Sequence, residues 1–299
     1  MFIGVVGKPN VGKSTLFSAL TGKSVAIANY PFTTIDPNKA VAFFQTVCAC
    51  KKLGVTCAPR TGKCVDGTRF VPINLVDVAG LVRGAHEGKG MGNKFLSDLS
   101  QADCLILVTD SSGSTNEGGN LVSMGSFSPV EDAKMLEEEI DAWLFDVIKR
   151  NFNKSGWKSF EELAKNLSGL KISADLLSHA FSQLDFPLSK LYDADLKRLA
   201  AFLRKKTKPF VIAANKSDLQ SSKAGFEKLR EAYPANSVIA CSGDYELALR
   251  KSDEKQLIKL AGNSFEITDA AAGPARSALE KIKKFVDENN GTGVQKLLD

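Results

Sequence analysis

The chain opens on Met-Phe-Ile-Gly-Val-Val, an apolar run without polar alternation, and passes straight into Gly7-Lys-Pro-Asn-Val-Gly-Lys-Ser14. The helix-forming stretch TLFSALTG follows at once. A strand that carries apolar residues continuously has to be covered on both faces, which calls for a parallel sheet with helices on either side. The spacing G-x-x-x-x-G-K-[ST] between strand and helix is that of an anion cradle, because its glycines let backbone N–H groups turn inward at a helix N-terminus. Lys13 would then reach the β and γ phosphates of a nucleotide, and the Ser14 hydroxyl would ligate Mg²⁺. Nucleotide contacts are expected at Gly7, Asn10, Val11, Gly12, Lys13, Ser14 and Thr15.

The strand pattern recurs in VPINLVDV (71 to 78), CLILVT (104 to 109), PFVIAA (209 to 214) and SVIAC (237 to 241), with KAVAFF (39 to 44) as a further strand at an edge. Helical patterns separate most of them, so the class is α/β, a doubly wound, mainly parallel sheet. Between the strands at 104 and 209 the sequence carries helix signatures and no convincing strand. Ser128, Pro129 and Glu131 supply a cap, a first-turn proline and a capping-box acid, and Leu136, Ile140, Trp143, Leu144 and Val147 share one face. Ser159 and Glu162 repeat the capping signal. The expected organisation is a sheet domain in two parts, 1–126 and 207–299, with an all-helical subdomain inserted at 127–206. SALEKIKKFVDEN is expected as the last helix, packed back on the sheet.

A phosphate cradle does not choose a base. At the end of PFVIAA, Asn215-Lys-Ser-Asp218 puts a carboxylate at the strand's C-terminal edge, the rim on which ligands sit in doubly wound sheets. A carboxylate accepts two parallel hydrogen bonds, a match for the N1–H and 2-amino group of guanine, whereas adenine would face it with a lone pair. The order of the two motifs therefore points to GTP and GDP, with Asn215, Lys216 and Asp218 at the base. In NLVDVAGL (74 to 81) an acid and a glycine arrive at the tip of a third strand, Asp77 and Gly80.

Together these motifs resemble the translation-factor class of P-loop GTPases, most closely the Obg family and its YchF-related branch found in archaea and eukaryotes. NYPFTTIDPN (29 to 38) is similar to that family's switch I, and DVAGLVRGAHEGKGMGNKFLSDLSQAD (77 to 103) to its switch II and following helix. The likeness covers essentially the whole chain, including the inserted helices and the closing GTGVQKLL. It implies that Asp77 holds Mg²⁺ through water and that the Gly80 N–H reports the γ-phosphate. Thr34, preferred over Thr33, would be the switch I ligand to Mg²⁺. Asn10 matches an asparagine that holds K⁺ in related GTPases, although a turn-forming asparagine explains it equally well. Ser242 and Gly243 stand where the last guanine loop usually reads Ser-Ala, and the Gly243 N–H is expected at guanine O6. Leu81 occupies the place of the glutamine that orients water in many GTPases. Catalysis is thereby assigned to Lys13, Thr34, Gly80 and His86, with water positioned by backbone, a cation, His86 or a partner. Family members continue past GTGVQ into a β-grasp module of the TGS type, which this sequence does not contain.

The implied activity is a GTP-binding and GTP-hydrolysing switch with the ribosome or another RNA-containing particle as partner. An ATP-accepting hydrolase of the same family and a nucleotide-gated scaffold with little hydrolysis remain open. A P-loop kinase has no use for N-K-x-D.

Composition narrows the rest. With 43% hydrophobic and 24% charged residues over 299, disorder is not the default. No run approaches the roughly 18 apolar residues of a membrane span, and no signal peptide leads the chain, so a cytoplasmic protein without a membrane partner is expected. The net charge of +5 gathers in 148–158 and 196–208, as a solvated helix face or as a surface for nucleic acid. Cys104 and Cys241 read as core thiols. Cys48, Cys50, Cys57 and Cys64 fall in one short segment. Thiolates converging from two turns can hold zinc, but C-x-C-x6-C-x6-C is no standard zinc spacing, and reduced loop thiols are the simpler reading.

Overall fold

The computed structural model describes residues 1–21, 38–78, 80–81, 83–84, 98–155, 159–186, 191–234, 237–261 and 263–299. Seven strands form the main sheet: β1 (Phe2–Gly7), β2 (Lys39–Val47), β3 (Lys63–Val65), β4 (Thr68–Asp77), β5 (Cys104–Asp110), β6 (Phe210–Asn215) and β7 (Val238–Ala240). Their order is β2-β4-β1-β5-β6-β7, with β3 pairing the start of β4. Every pairing from β4 to β7 is parallel, and β2 and β3 run antiparallel to β4. The antiparallel edge follows from β3 and β4 meeting through a short turn at Asp66 and Gly67, both at positive φ.

Successive residues of the central strands enter different cores. Val6, Val76, Leu105, Leu107, Ile212 and Ala214 join the core on one face, while Val5, Leu75, Ile106, Val108 and Ala213 join the core on the other. Continuous apolar sequence is thus the record of two buried faces. On the second face lie α1 (Lys13–Thr21) and the end of the chain, through Leu16, Leu20, Val294 and Leu297.

Among the described residues, four α-helices connect β5 to β6: α3 (Pro129–Ser155), α4 (Phe160–Asn166), α5 (Ala174–Leu184) and α6 (Asp193–Thr207), after the short α2 (Ala49–Leu53). The hydroxyls of Ser159 and Ser173 cap α4 and α5 by accepting from the N–H of Glu162 and Leu176. Leu136, Ile140, Trp143 and Leu144 of α3 lie in the same core as Val6, Val76 and Leu105, so α3 seals one face of the sheet while Leu163, Leu177, Phe181 and Leu199 build outward from it. Arg204, buried in the basic run of α6, is held by Asp141 at 2.6 Å and by Glu137.

The C-terminal part contains α7 (Ser222–Ala232), α8 (Gly243–Glu254) and α9 (Gly273–Asn289), and a hairpin not foreseen from the sequence, β8 (Ile258–Ala261) with β9 (Ser264–Ile267). The apolar face of α9 does not join either core of the main sheet. Leu279, Ile282 and Val286 meet Leu249, Ile258 and Phe265 in a third, smaller core that the hairpin creates. The apolar positions of QLIKLAGNSFEI alternate too briefly to stand out in the sequence, yet they redirect the last helix.

Candidate nucleotide site

The parallel register brings Gly7, Asp77, Asp110 and Asn215 to one edge of the sheet, since Val5 pairs Asp77, Gly7 pairs Val108 and Asp110 pairs Asn215. From Gly7 the chain turns through Asn10 and Gly12, both at positive φ, before the first helical bond from Leu16 N to Gly12 O. Glycine is required at 12 for a second reason: a Cβ there would lie 2.4 Å from Asn215 Nδ2. Helix α1 has no acid in its first turn, leaving its N-terminal N–H groups for an anion. The Lys13 ammonium contacts the Asp77 carboxylate at the mouth of the loop. Ser14 is exposed there. Hydroxyl and carboxylate oxygens are hard donors of the kind Mg²⁺ takes, so this pair fits that ion.

The base-side motif is knitted to the loop. Asn215 donates from Nδ2 to Val11 O at 2.9 Å and accepts the Gly243 N–H at Oδ1 at 3.0 Å, joining phosphate loop and last guanine loop through one side chain. The Gly243 N–H expected at guanine O6 is thus bonded to Asn215 in this structure. Ser242 Oγ donates to Asp218 Oδ1 at 2.6 Å and accepts the Tyr245 N–H, fixing the carboxylate while capping α8. The closing Gly-Thr-Gly lies beneath: Thr292 O accepts from Ser242 N, and a Cβ on Gly293 would stand 2.0 Å from Ala240 O.

Lys216, at φ 61°, reaches Asp110 Oδ2 at 2.9 Å. Asp110 was not singled out in the sequence, where it follows CLILVT as one more acid. It is buried and accepts from Ser112, Ser114, Thr115 and Lys216. Burial pushes this carboxyl up, but the bonds from Ser112, Lys216 and Ser114 outweigh it and hold the group below the usual carboxylate range.

Lys8 also escaped sequence reasoning. Although it lies inside the phosphate loop it is 1% exposed, donating to Asp132 Oδ1 at 2.5 Å and Thr115 O at 2.8 Å, with the Phe127 ring 4.3 Å from its ammonium. Burial lifts Asp132 to about 6 in spite of that contact. The loop is therefore bolted to the start of α3. Asn10 is bonded beside it, from Nδ2 to Gly119 O at 2.9 Å, so its turn-forming role is visible and only its oxygen remains to offer a cation.

Beyond Asp77, Gly80 is exposed and a Cβ on it would lie 3.7 Å from Gly7 O and from Pro9. Leu81 donates its N–H to Gly7 O and is 1% exposed, its side chain in the core that α3 shares. Three residues on, Gly84 N donates to Glu139 Oε1 of α3 at 2.7 Å, and Arg83 pairs with Glu117 and Glu138. Thr33, Thr34 and His86 lie outside the described residues.

With this geometry in place, comparison with known proteins is decisive. A GTP-binding protein of Methanocaldococcus jannaschii, itself described as uncharacterized, is 46% identical over 99% of this chain and 77% of its own length. The chain belongs to the Obg-like, YchF-related family of P-loop GTPases. Residues 2–150 match the family described as 50S ribosome-binding GTPase, and residues 213–299 match the G4 motif-containing domain of YGR210-like Obg-like GTPases. The crystal structure of a GTP-binding protein from Pyrococcus horikoshii superimposes with a TM-score of 0.75 at 32% identity, covering all of this chain and 76% of that one. A relative from Mycoplasma genitalium, named ribosome-binding ATPase YchF, is 33% identical over 72% of this chain and 56% of its own length. The two family matches span both halves of the sheet edge described above, Gly7–Ser14 and Asp77 in the first and Asn215–Asp218 in the second.

Proposed function

We propose that this Obg-like protein is a guanine-selective molecular switch that hydrolyses the β–γ phosphoric anhydride of GTP and works with the ribosome or another RNA-containing particle. The observation carrying the base choice is Asp218, held by the Ser242 hydroxyl on a loop that Asn215 joins to the phosphate cradle. A carboxylate so fixed pairs with guanine and repels adenine. In this reading Lys13 leaves Asp77 for the β and γ phosphates, the loop N–H groups hold the β-phosphate, and the Gly80 N–H meets the γ-phosphate. Ser14, Asp77 and Thr34 would hold Mg²⁺, which supplies positive charge at the transferring phosphate. The oxygen of Asn10 is the group that would face K⁺.

Leu81 sets the expected rate. Its side chain points into the core, so no side chain at that position orients water, and turnover without a partner is slow. His86 and the partner are the remaining candidates for positioning it. Exposed Lys197, Arg198, Lys205 and Lys206 along α6 suit phosphate contacts, and the names of the matched family and of the mycoplasmal relative are consistent with a ribosomal partner. A cytoplasmic location accords with this, and among the described residues no helix is long and apolar enough to cross a membrane.

The relative named an ATPase keeps a second reading alive, an ATP-accepting hydrolase on the same site. Single-turnover phosphate release from GTP and from ATP, with Mg²⁺, with and without K⁺ and ribosomes, tests the proposal. Slow GTP cleavage accelerated by ribosomes is expected; absence of cleavage under every condition would leave only a nucleotide-gated scaffold.

A further inference from the structure

The connection between β2 and β4 departs from the economy of the rest of the sheet. Of residues 48–67 only Cys48 is buried, while Leu53, Val55 and Val65 are exposed. Its one helix, α2, has five residues, too few to persist through its own hydrogen bonds. An excursion with so little apolar burial needs another source of cohesion. What it contains is four cysteines brought together from three directions: Cys48 at the N-cap of α2, Cys50 in its first turn, Cys57 beyond the left-handed cap at Gly54, and Cys64 on β3.

Their sulfur atoms all lie within 4.8 Å of one another, with Cys48 to Cys57 and Cys50 to Cys64 both at 3.6 Å. Those separations are far longer than the roughly 2.05 Å of a disulfide. They match the edge of a tetrahedron around one metal ion, about 3.8 Å for metal–sulfur bonds of about 2.3 Å. An iron–sulfur cluster spreads its thiolates over more than one metal and does not bring all four this close.

We propose that Cys48, Cys50, Cys57 and Cys64 form a structural zinc site. Four thiolates favour a soft tetrahedral ion, and a fourfold protein ligand set leaves no open position for catalysis. One Zn²⁺ enters as four thiol protons leave to solvent, with no electron transferred, and the centre carries a charge of −2. The segment is charged to suit it: Lys51, Lys52, Arg60, Lys63 and Arg69 stand against a single acid, Asp66. Two backbone bonds close the same knot, Cys48 N to Gly67 O at 2.8 Å and Lys51 N to Cys48 O at 3.1 Å. The site pins the Thr68 end of β4, about 30 Å along the strand from Asp77, so it steadies the antiparallel edge without touching nucleotide.

Metal analysis of the full chain, purified without chelator or metal-affinity resin, tests this. One zinc per chain is expected, released when a mercurial reagent takes up the thiols, retained in Cys104→Ser and lost in Cys57→Ser and Cys64→Ser. Because those last variants can unfold for other reasons, Co²⁺ is exchanged into the unmodified chain, where thiolate charge-transfer and tetrahedral d–d bands are expected. Sub-stoichiometric zinc after supplementation, stoichiometric iron, a disulfide among the four, or absence of the cobalt bands would each overturn the assignment.

Discussion

On the base side of the phosphate loop, Asn215, Lys216, Asp218, Ser242 and Thr292 are tied to one another and to the loop by elements of the sheet, its connecting loops and the closing segment. On the phosphate side, Lys8, Leu81 and Gly84 are tied to α3, a helix from the connection between β5 and β6. The contrast separates two tasks. In the proposed reading base choice falls to groups held mainly by strands and loops, whereas the segment after Gly80 shares its core and hydrogen bonds with α3. In that reading, movement on loss of the γ-phosphate is expected to reach α3 and to spare the loop that holds Asp218.

The largest effect that breaks this comparison is Lys8→Met. It leaves Asp132 buried without its cation, a loss of about 3–5 kcal/mol. Urea unfolding should show a midpoint far below the parent, partly restored by adding Asp132→Asn; an unchanged midpoint would mean that the loop is not bolted to α3. Next comes Asp218→Asn, which keeps an oxygen for Ser242 but offers an amide to the base. GTP affinity should fall about tenfold or more and xanthosine triphosphate should gain, at ~1.5 kcal/mol per charge-assisted bond lost. Selectivity preserved in competition binding would remove Asp218 from the base. The smallest effect is Glu139→Gln, which weakens one bond to Gly84 by about 1 kcal/mol. It should change the ratio of GTP to GDP affinity a few-fold and leave guanine over adenine selectivity untouched; the reverse pattern would undo the division of tasks.

The sequence is legible where chemistry is contiguous. Gly7–Ser14, Asn215–Asp218 and the strand ending in Asp77 each carry ligand groups and local geometry in a few residues, and the sheet follows from their apolar runs. What stayed hidden depends on distant partners. Lys8 meets Asp132 and Lys216 meets Asp110 across more than a hundred positions, and nothing in either local pattern marks the pair. Leu81 was read as a missing glutamine, while its burial against α3 needed the tertiary fold. The four cysteines were discounted on spacing alone, because a turn and a β-hairpin bring together what the intervals seemed to separate.

The claim on which the functional account rests is that a fixed Asp218 reads guanine. Equilibrium competition of GTP against ATP for the unmodified protein with Mg²⁺ tests it directly: GTP should bind at least about tenfold tighter, the worth of one charge-assisted hydrogen bond. Equal affinities, or tighter binding of ATP, would contradict it.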